Sequence, residues 1–294
     1  MTRVLCVSVE AGEAELVADR LWQLGATGIE ERPGLLLASF PTDAAAESVA
    51  AEMVGSELVT VDDDGWRDTW RQHAGPVDAG ERLRIAPAWK DVPVGDDGRL
   101  LLRIDPGPCF GGGNHPTTRM LLAELEDRIR PGETSVLDVG TGSGVLAIAA
   151  AALEAGRVVA VDIDPAAVPV TLANAETNGV AGLIDVSTTP VEAVAGQFDL
   201  VLANLSAATL VDLAGSLTAR IAAGGRLLVS GLLPGQWRHV EPAFAAALTT
   251  ETTVDLEGWL AAILQDFAGL AANCCEWSGS DGAPRPDRSP WSSA

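Results

Sequence analysis

The sequence predicts an α/β protein in two parts: a small α+β unit, then a larger domain built on a mainly parallel sheet with helices on both faces. Three observations lead there. From Ser135 onward, strand-like apolar runs alternate with helix-like runs, which is how parallel strands joined by crossover helices read. A glycine-rich turn, Asp138-Val139-Gly140-Thr141-Gly142-Ser143-Gly144, links one such strand to the next helix. Residues 1–61 carry a separate pattern with its own strands and helices.

In order, RVLCVSV at 3–9 alternates like a strand. Residues 12–24 place Leu16, Val17, Leu21 and Leu24 at helical spacing, and Gly25 stops that helix. Two strands, 27–31 and 34–40, flank a turn with Pro33 and Gly34. Asp43 is placed to cap a helix over 44–54, and 57–61 closes the unit as a strand. The order is βαββαβ, a ferredoxin-like arrangement. Residues 62–99, rich in Asp, Gly, Pro and Trp, are expected to link the two parts, with Trp66 and Trp70 one helical turn apart. The second domain is expected over 100–265. Within it SVLDV, VVAVDID, DLVLANL and GRLLVSG read as strands, GVLAIAAAALEAG and PAAVPVTLANAETNG as helices, and 258–265 as a last strand. The polar, Pro/Gly/Ser-rich stretch 266–294 is expected to be a disordered tail.

Composition narrows the partners. Over 294 residues the formal net charge is −22, which repels nucleic-acid phosphates and anionic membranes and attracts a basic protein; solubility accounts for the same acidity. The four cysteines, Cys6, Cys109, Cys274 and Cys275, show no CxxC spacing, and there are three histidines, so no metal site is expected. No segment has the pattern of a signal peptide, and the apolar runs are too short to span a membrane, so a cytoplasmic protein is expected.

The chemistry centres on the glycine loop. Its glycines permit a tight turn and close approach of a ligand. Dinucleotide sites use GxGxxG; here the third glycine comes one residue early, at Gly144. That GxGxG spacing suits S-adenosylmethionine (SAM), which has no pyrophosphate, in a Rossmann-like domain. Asp162 ends the next strand, at the distance from the loop where a carboxylate reaches ribose hydroxyls. Asp164 competes, but it precedes Pro165 and better suits capping of the following helix. Asn204 ends DLVLANL, at the edge that faces the ligand crevice of such a sheet. It is a candidate acceptor for an amine nucleophile, or a cap for a helix starting near Ser206. Upstream, residues 105–118 form a glycine-rich loop in which Thr117 or Thr118 is placed to cap the helix RMLLAELEDRI. His115 is read there as stabilising the loop.

This loop, Phe110-Gly111-Gly112-Gly113-Asn114-His115-Pro116-Thr117-Thr118, resembles the FGTGTHPTT segment of the methyltransferases that modify protein L11 of the large ribosomal subunit. The GTGSG loop, the VDID and ANL strand ends, and GWRDTWRQHAGP and ERLRIAPAW occur in that family's order, so the resemblance covers about residues 3–265. Gly112 and Asn114 stand where the family commonly has threonines. The resemblance implies a class I SAM-dependent methyltransferase with a small N-terminal substrate-recruiting domain. It implies cofactor contacts at Thr118, Gly140, Asp162 and Asn204, to which the loop adds Gly142. Asn204 is the expected catalytic residue. The implied reaction is methylation of lysine side-chain amines and the N-terminal α-amine of a ribosomal protein, with no metal. Other readings are a methyltransferase for another protein or a small molecule, a non-catalytic SAM-binding factor, or a nicotinamide oxidoreductase, the last disfavoured by the glycine spacing.

Overall fold

The computed structural model describes residues 2–9, 74–107, 109–266 and, with gaps, 17–61. The Trp66/Trp70 pair, most of the helix expected over 12–24 and the tail from 267 lie outside the described residues. The chain divides into two compact units, Met1–Ala74 and Gly75–Ala294.

In the first unit β1 (Thr2–Ser8), β2 (Gly28–Arg32), β3 (Leu35–Ser39) and β4 (Ser56–Val61) form a sheet ordered β2-β3-β1-β4. All three pairings are antiparallel, the ferredoxin-like arrangement expected. Alternation puts Leu5, Val7, Leu36 and Ala38 on the buried face. Ala46 and Val49 of α1 (Asp43–Glu52), three apart, join that core, as does Leu21. The helix cap corrects the sequence reading by one residue. Thr42 is the extended cap and its hydroxyl accepts from Ala45 N at 3.2 Å. Asp43 is already helical, and its carboxylate favours the positive end of the helix dipole from the first turn.

The second unit begins with a correction to the expected 62–99 link. Its second half folds into β5 (Val77–Ala79) and β6 (Leu83–Pro87), which form a three-stranded sheet with β7 (Leu100–Ile104). LLLRI at 100–104 reads as a strand from the sequence, whereas β5 and β6 are too short for their alternation to stand out. A buried carboxylate holds them. Glu126, the last residue of α2 (Pro116–Glu126), accepts backbone N–H groups from Glu81, Arg82 and Leu83 at 2.9, 2.9 and 2.8 Å.

The main sheet contains β8 (Ser135–Val139), β9 (Arg157–Val161), β10 (Ile184–Ser187), β11 (Phe198–Asn204), β12 (Ile221–Leu232), β13 (Leu248–Leu256) and β14 (Trp259–Asp266). Its order is β10-β9-β8-β11-β12-β14-β13, and only β14 and β13 run antiparallel to their neighbours. Both faces are apolar, as a covered parallel sheet requires. Val136, Leu200 and Leu202 enter one core cluster; Leu137, Val139, Val201 and Ala203 enter the other. Helices α3 (Val145–Ala152), α4 (Ala167–Thr177), α5 (Ala207–Ala219) and α6 (Pro234–Phe244) cover the sheet. The strand order reverses between β8 and β11, so the ends of β8, β9 and β11 open onto a crevice at the switch point. Among the described residues no helix is long and apolar enough to cross a membrane.

Candidate active site

The glycine loop leaves β8 and enters α3. Gly140, Gly142 and Gly144 all have positive φ, +74°, +54° and +84°. At Gly142 a Cβ would also sit 2.7 Å from the Phe110 carbonyl oxygen, so only glycine fits. The loop amides are all engaged internally. Gly140 and Thr141 donate to Val161 O, Gly142 to Asp162 Oδ2, Ser143 to Phe110 O, Gly144 to Thr141 O and Val145 to Ser143 Oγ. A phosphate-binding loop keeps such amides aimed at its anion. This loop presents none from 140 to 145, and the Asp162 carboxylate lies against it. Cations without phosphate suit that surround, and SAM, with its sulfonium and ammonium groups, is one.

Asp138 is fully buried at the end of β8, and burial pushes its carboxyl up to about 6; the Thr141 hydroxyl, donating at 2.7 Å, only partly offsets this. The native state therefore holds a proton here that the unfolded chain, near 3.8, has released. The resulting stabilisation is complete below about pH 4 and is lost as pH rises through about 6. Asp138→Asn keeps the acceptor for Thr141 and removes the titration. Relative to the parent, the variant should gain unfolding free energy between about pH 4 and 7, by roughly 3 kcal/mol at most, from about two pKa units. Urea unfolding across that range checks it; parallel curves for the two proteins would refute it.

Asp162 directly follows β9, half-buried. Its Oδ2 accepts from Gly142 N at 2.9 Å and its Oδ1 from Asp164 N at 3.0 Å. One N–H per oxygen leaves acceptor capacity for a vicinal diol. Asp164 is occupied in the following turn, where it accepts from Ala166 N at 2.9 Å. That agrees with a local turn role, but α4 starts at Ala167, so neither Asp164 nor Pro165 holds the cap and first-turn positions expected of them.

Thr117 and Thr118 are buried in the first turn of α2 rather than capping it, because the helix starts at Pro116, two or three residues before the start that such a cap would give. His115 is the cap, with Nδ1 accepting from Thr117 N. Its ring lies edge-on between Phe110 and Trp259, at centroid distances of 5.3 and 4.8 Å, and burial lowers its pKa. Both threonine hydroxyls receive the Asn204 amide: Nδ2 lies 3.2 Å from Thr117 Oγ1 and 3.3 Å from Thr118 Oγ1. The helix-cap alternative for Asn204 is excluded, since Ser206 caps α5 and accepts from Thr209 N. The two groups of candidates meet at Gly140, where a Cβ would lie 2.5 Å from Leu205, the neighbour of Asn204.

Sequence reasoning missed Asn174 on α4 and Asn178, one turn further on, which caps the end of that helix. Asn174, almost fully buried, donates to Asp105 O and Ser143 O at 2.9 Å and accepts from Asp105 N at 2.9 Å. Asn178 brackets Arg103, accepting from its N–H and donating to its carbonyl, both at 2.8 Å. Together they tie the start of the 105–118 loop to the glycine loop. The available signal was an asparagine on the buried face, repeated four residues on at the helix end. Among the described residues no cluster of three or more His, Cys, Asp or Glu is arranged to hold a metal ion.

Comparison with known proteins places this geometry. The family model described as ribosomal protein L11 methyltransferase (PrmA) matches residues 36–266. A ribosomal protein L11 methyltransferase of Geobacter sp. (strain M21) is 47% identical over 206 residues, covering 68% of this chain and 67% of the relative. The protein so named from Cupriavidus necator is 38% identical over 270 residues, covering 87% and 88%. A crystal structure of ribosomal protein L11 methylase from Lactobacillus delbrueckii subsp. bulgaricus superimposes with a TM-score of 0.59 at 32% identity, covering 65% of this chain and 97% of that one.

Proposed function

The chain belongs to the ribosomal protein L11 methyltransferase family, and on that premise we propose that it methylates amines of ribosomal protein L11, the lysine side chains and the N-terminal α-amine, with Asn204 aligning the attacking nitrogen. The family makes it a SAM-dependent methyltransferase. The observation that carries the finer reading is the Asn204 amide, fixed at the strand end by two buried hydroxyls beside the glycine loop.

When bound, SAM supplies a methyl group already activated by its sulfonium. The residues proposed to hold it are Thr118, Gly140, Gly142 and Asp162, with Asn204 at the reacting end. Asp162 has acceptor capacity for the ribose diol, and the internally bonded loop keeps the backbone turned so that the ligand meets carbonyls and carboxylates. An attacking amine must be neutral. A lysine, with a pKa near 10.4 in water, needs more help than an α-amine near 8. Entry into the crevice desolvates the amine and favours its neutral form. Its N–H then donates to Asn204 Oδ1, which aims the lone pair, and most of the rate gain comes from that alignment. Among the described residues no group in the site is positioned as a dedicated base, and deprotonation is left to solvent before entry.

The N-terminal unit is proposed to recruit the protein substrate, which rests on its separate core and the unit division at Ala74. Transfer of labelled methyl groups from SAM to purified L11 tests both statements. The full chain should label L11. A chain beginning at Gly75 should bind SAM with the same affinity by calorimetry and lose at least about tenfold in labelling, the equivalent of 1.4 kcal/mol of recruitment. Equal labelling by both would place recruitment elsewhere. No labelling by either would remove the proposed substrate.

A further inference from the structure

Donor counting around Asn204 fixes more than its position. The second amide of α2, Thr117 N, needs an acceptor outside the helix. His115 Nδ1 provides it at 3.4 Å and lies 2.7 Å from Thr117 Oγ1. A ring nitrogen that accepts an N–H carries no proton, so His115 is neutral with its hydrogen on Nε2. The Thr117 hydroxyl must then donate to Nδ1, and its oxygen is left only as an acceptor toward Asn204. The Asn204 atom facing it at 3.2 Å is therefore the amide nitrogen, and the second amide hydrogen goes to Thr118 Oγ1 at 3.3 Å. Oδ1 is turned the other way. Without this constraint the amide is free to flip and set its NH₂ against an incoming amine, donor against donor.

We propose that His115 and Thr117 are positioning residues, a relay running from the histidine ring through the threonine hydroxyl that holds the Asn204 carbonyl toward the substrate amine. The inference rests on the reading of Asn204 given above. It carries a pH dependence. A proton on Nδ1 places a donor against the Thr117 N–H and hydroxyl, so the hydroxyl turns and its hydrogen opposes the Asn204 amide. Glu257, in the β13–β14 turn, favours that protonation and is itself ion-paired to Arg119 of α2 at 2.8 Å. Phe110 and Trp259 pack on the ring from the loop and from β14 and shield part of it from water. Burial prevails, so the relay is intact at neutral pH and is lost in acid.

The test measures kcat, KM for L11 and SAM affinity for the parent, Thr117→Val, Thr117→Ser, Asn204→Ala and the double variant Thr117→Val/Asn204→Ala. Valine keeps the shape and backbone and removes the hydroxyl. Thr117→Val should lower kcat about tenfold, one hydrogen bond's worth of alignment, with SAM affinity within about twofold. Its kcat should lose the part of the acid-side fall that His115 adds and keep the part set by protonation of the substrate amine, because nothing links His115 to Asn204. Thr117→Ser should restore both the rate and the acid limb. The double variant should be no slower than Asn204→Ala, since the relay acts only through that residue. Parent-like turnover in Thr117→Val beside a slow Asn204→Ala overturns the relay and leaves the Asn204 assignment standing. Parent-like turnover in both overturns the Asn204 assignment and the relay with it. A kcat loss that follows SAM affinity or melting temperature and is not restored by serine, or losses that multiply in the double variant, means Thr117 is merely structural and also overturns the relay.

Discussion

Replacing Asn204 by alanine is expected to cut turnover about a hundredfold, the order of loss that follows a misplaced reacting group, while SAM affinity falls far less. The side chain contributes most in the transition state, when the nitrogen must lie in line with the methyl, and interactions made only there appear in kcat. The ground-state structure gives a means to check that the variant is otherwise sound, because Ser206 rather than Asn204 caps α5. The melting temperature should therefore move little. Asn204→Asp is more informative. A carboxylate cannot donate to Thr117 and Thr118 as the amide does. It also holds a nearby substrate amine in its charged, unreactive form. Turnover at neutral pH should fall at least as far as in the alanine variant and recover in part at high pH, where alanine shows no such recovery. Steady-state kinetics across pH settle the matter. Parent-like turnover in both variants would reduce Asn204 to a structural residue.

Asp162→Ala should weaken SAM binding by about a hundredfold or more, since a hydrogen bond to a charged group contributes roughly 1.5–3 kcal/mol and the ribose diol makes two. Part of the loss arises before the ligand arrives. The carboxylate holds the Gly142 and Asp164 amides, and alanine leaves the glycine loop without that anchor. Asp162→Asn separates the two contributions: its carbonyl keeps one acceptor for the loop and loses the charge. Calorimetric titration should rank the parent tightest, the asparagine variant next and the alanine variant weakest. Unchanged affinity in a folded alanine variant would move the ribose contact to another residue, with Asp164 first in line.

The sequence made the parallel sheet and its switch point legible because strands buried on both faces are continuous apolar runs with glycine turns between them. The ferredoxin-like unit was legible for the complementary reason: alternation such as that of Leu36 and Ala38 marks a sheet with one buried face. The strands β5, β6, β10 and β13 escaped, and for two of them the reason is that their stability comes from elsewhere. β6 is held by the distant Glu126 carboxylate. The edge strand β13, rich in threonine, has too little apolar alternation to stand out from a loop. At the site, residue types and spacing pointed to Asp162 and Asn204 but not to how they are held. Asn204 meets Thr117 from 87 positions away, and Asn174 meets Asp105 from 69. Contacts of that span leave no local pattern. The caps were misjudged by one to three residues, because a cap is set by which backbone N–H lacks a partner inside the helix.

Peptide mass spectrometry of purified ribosomal protein L11, after incubation with this protein and SAM, tests the central claim most directly. The account predicts methyl groups on lysine ε-amines and on the N-terminal α-amine, appearing with the parent enzyme and strongly reduced with Asn204→Ala. Methyl groups found only on residues without an amine, or an L11 left unmodified by an enzyme that binds SAM, would contradict it.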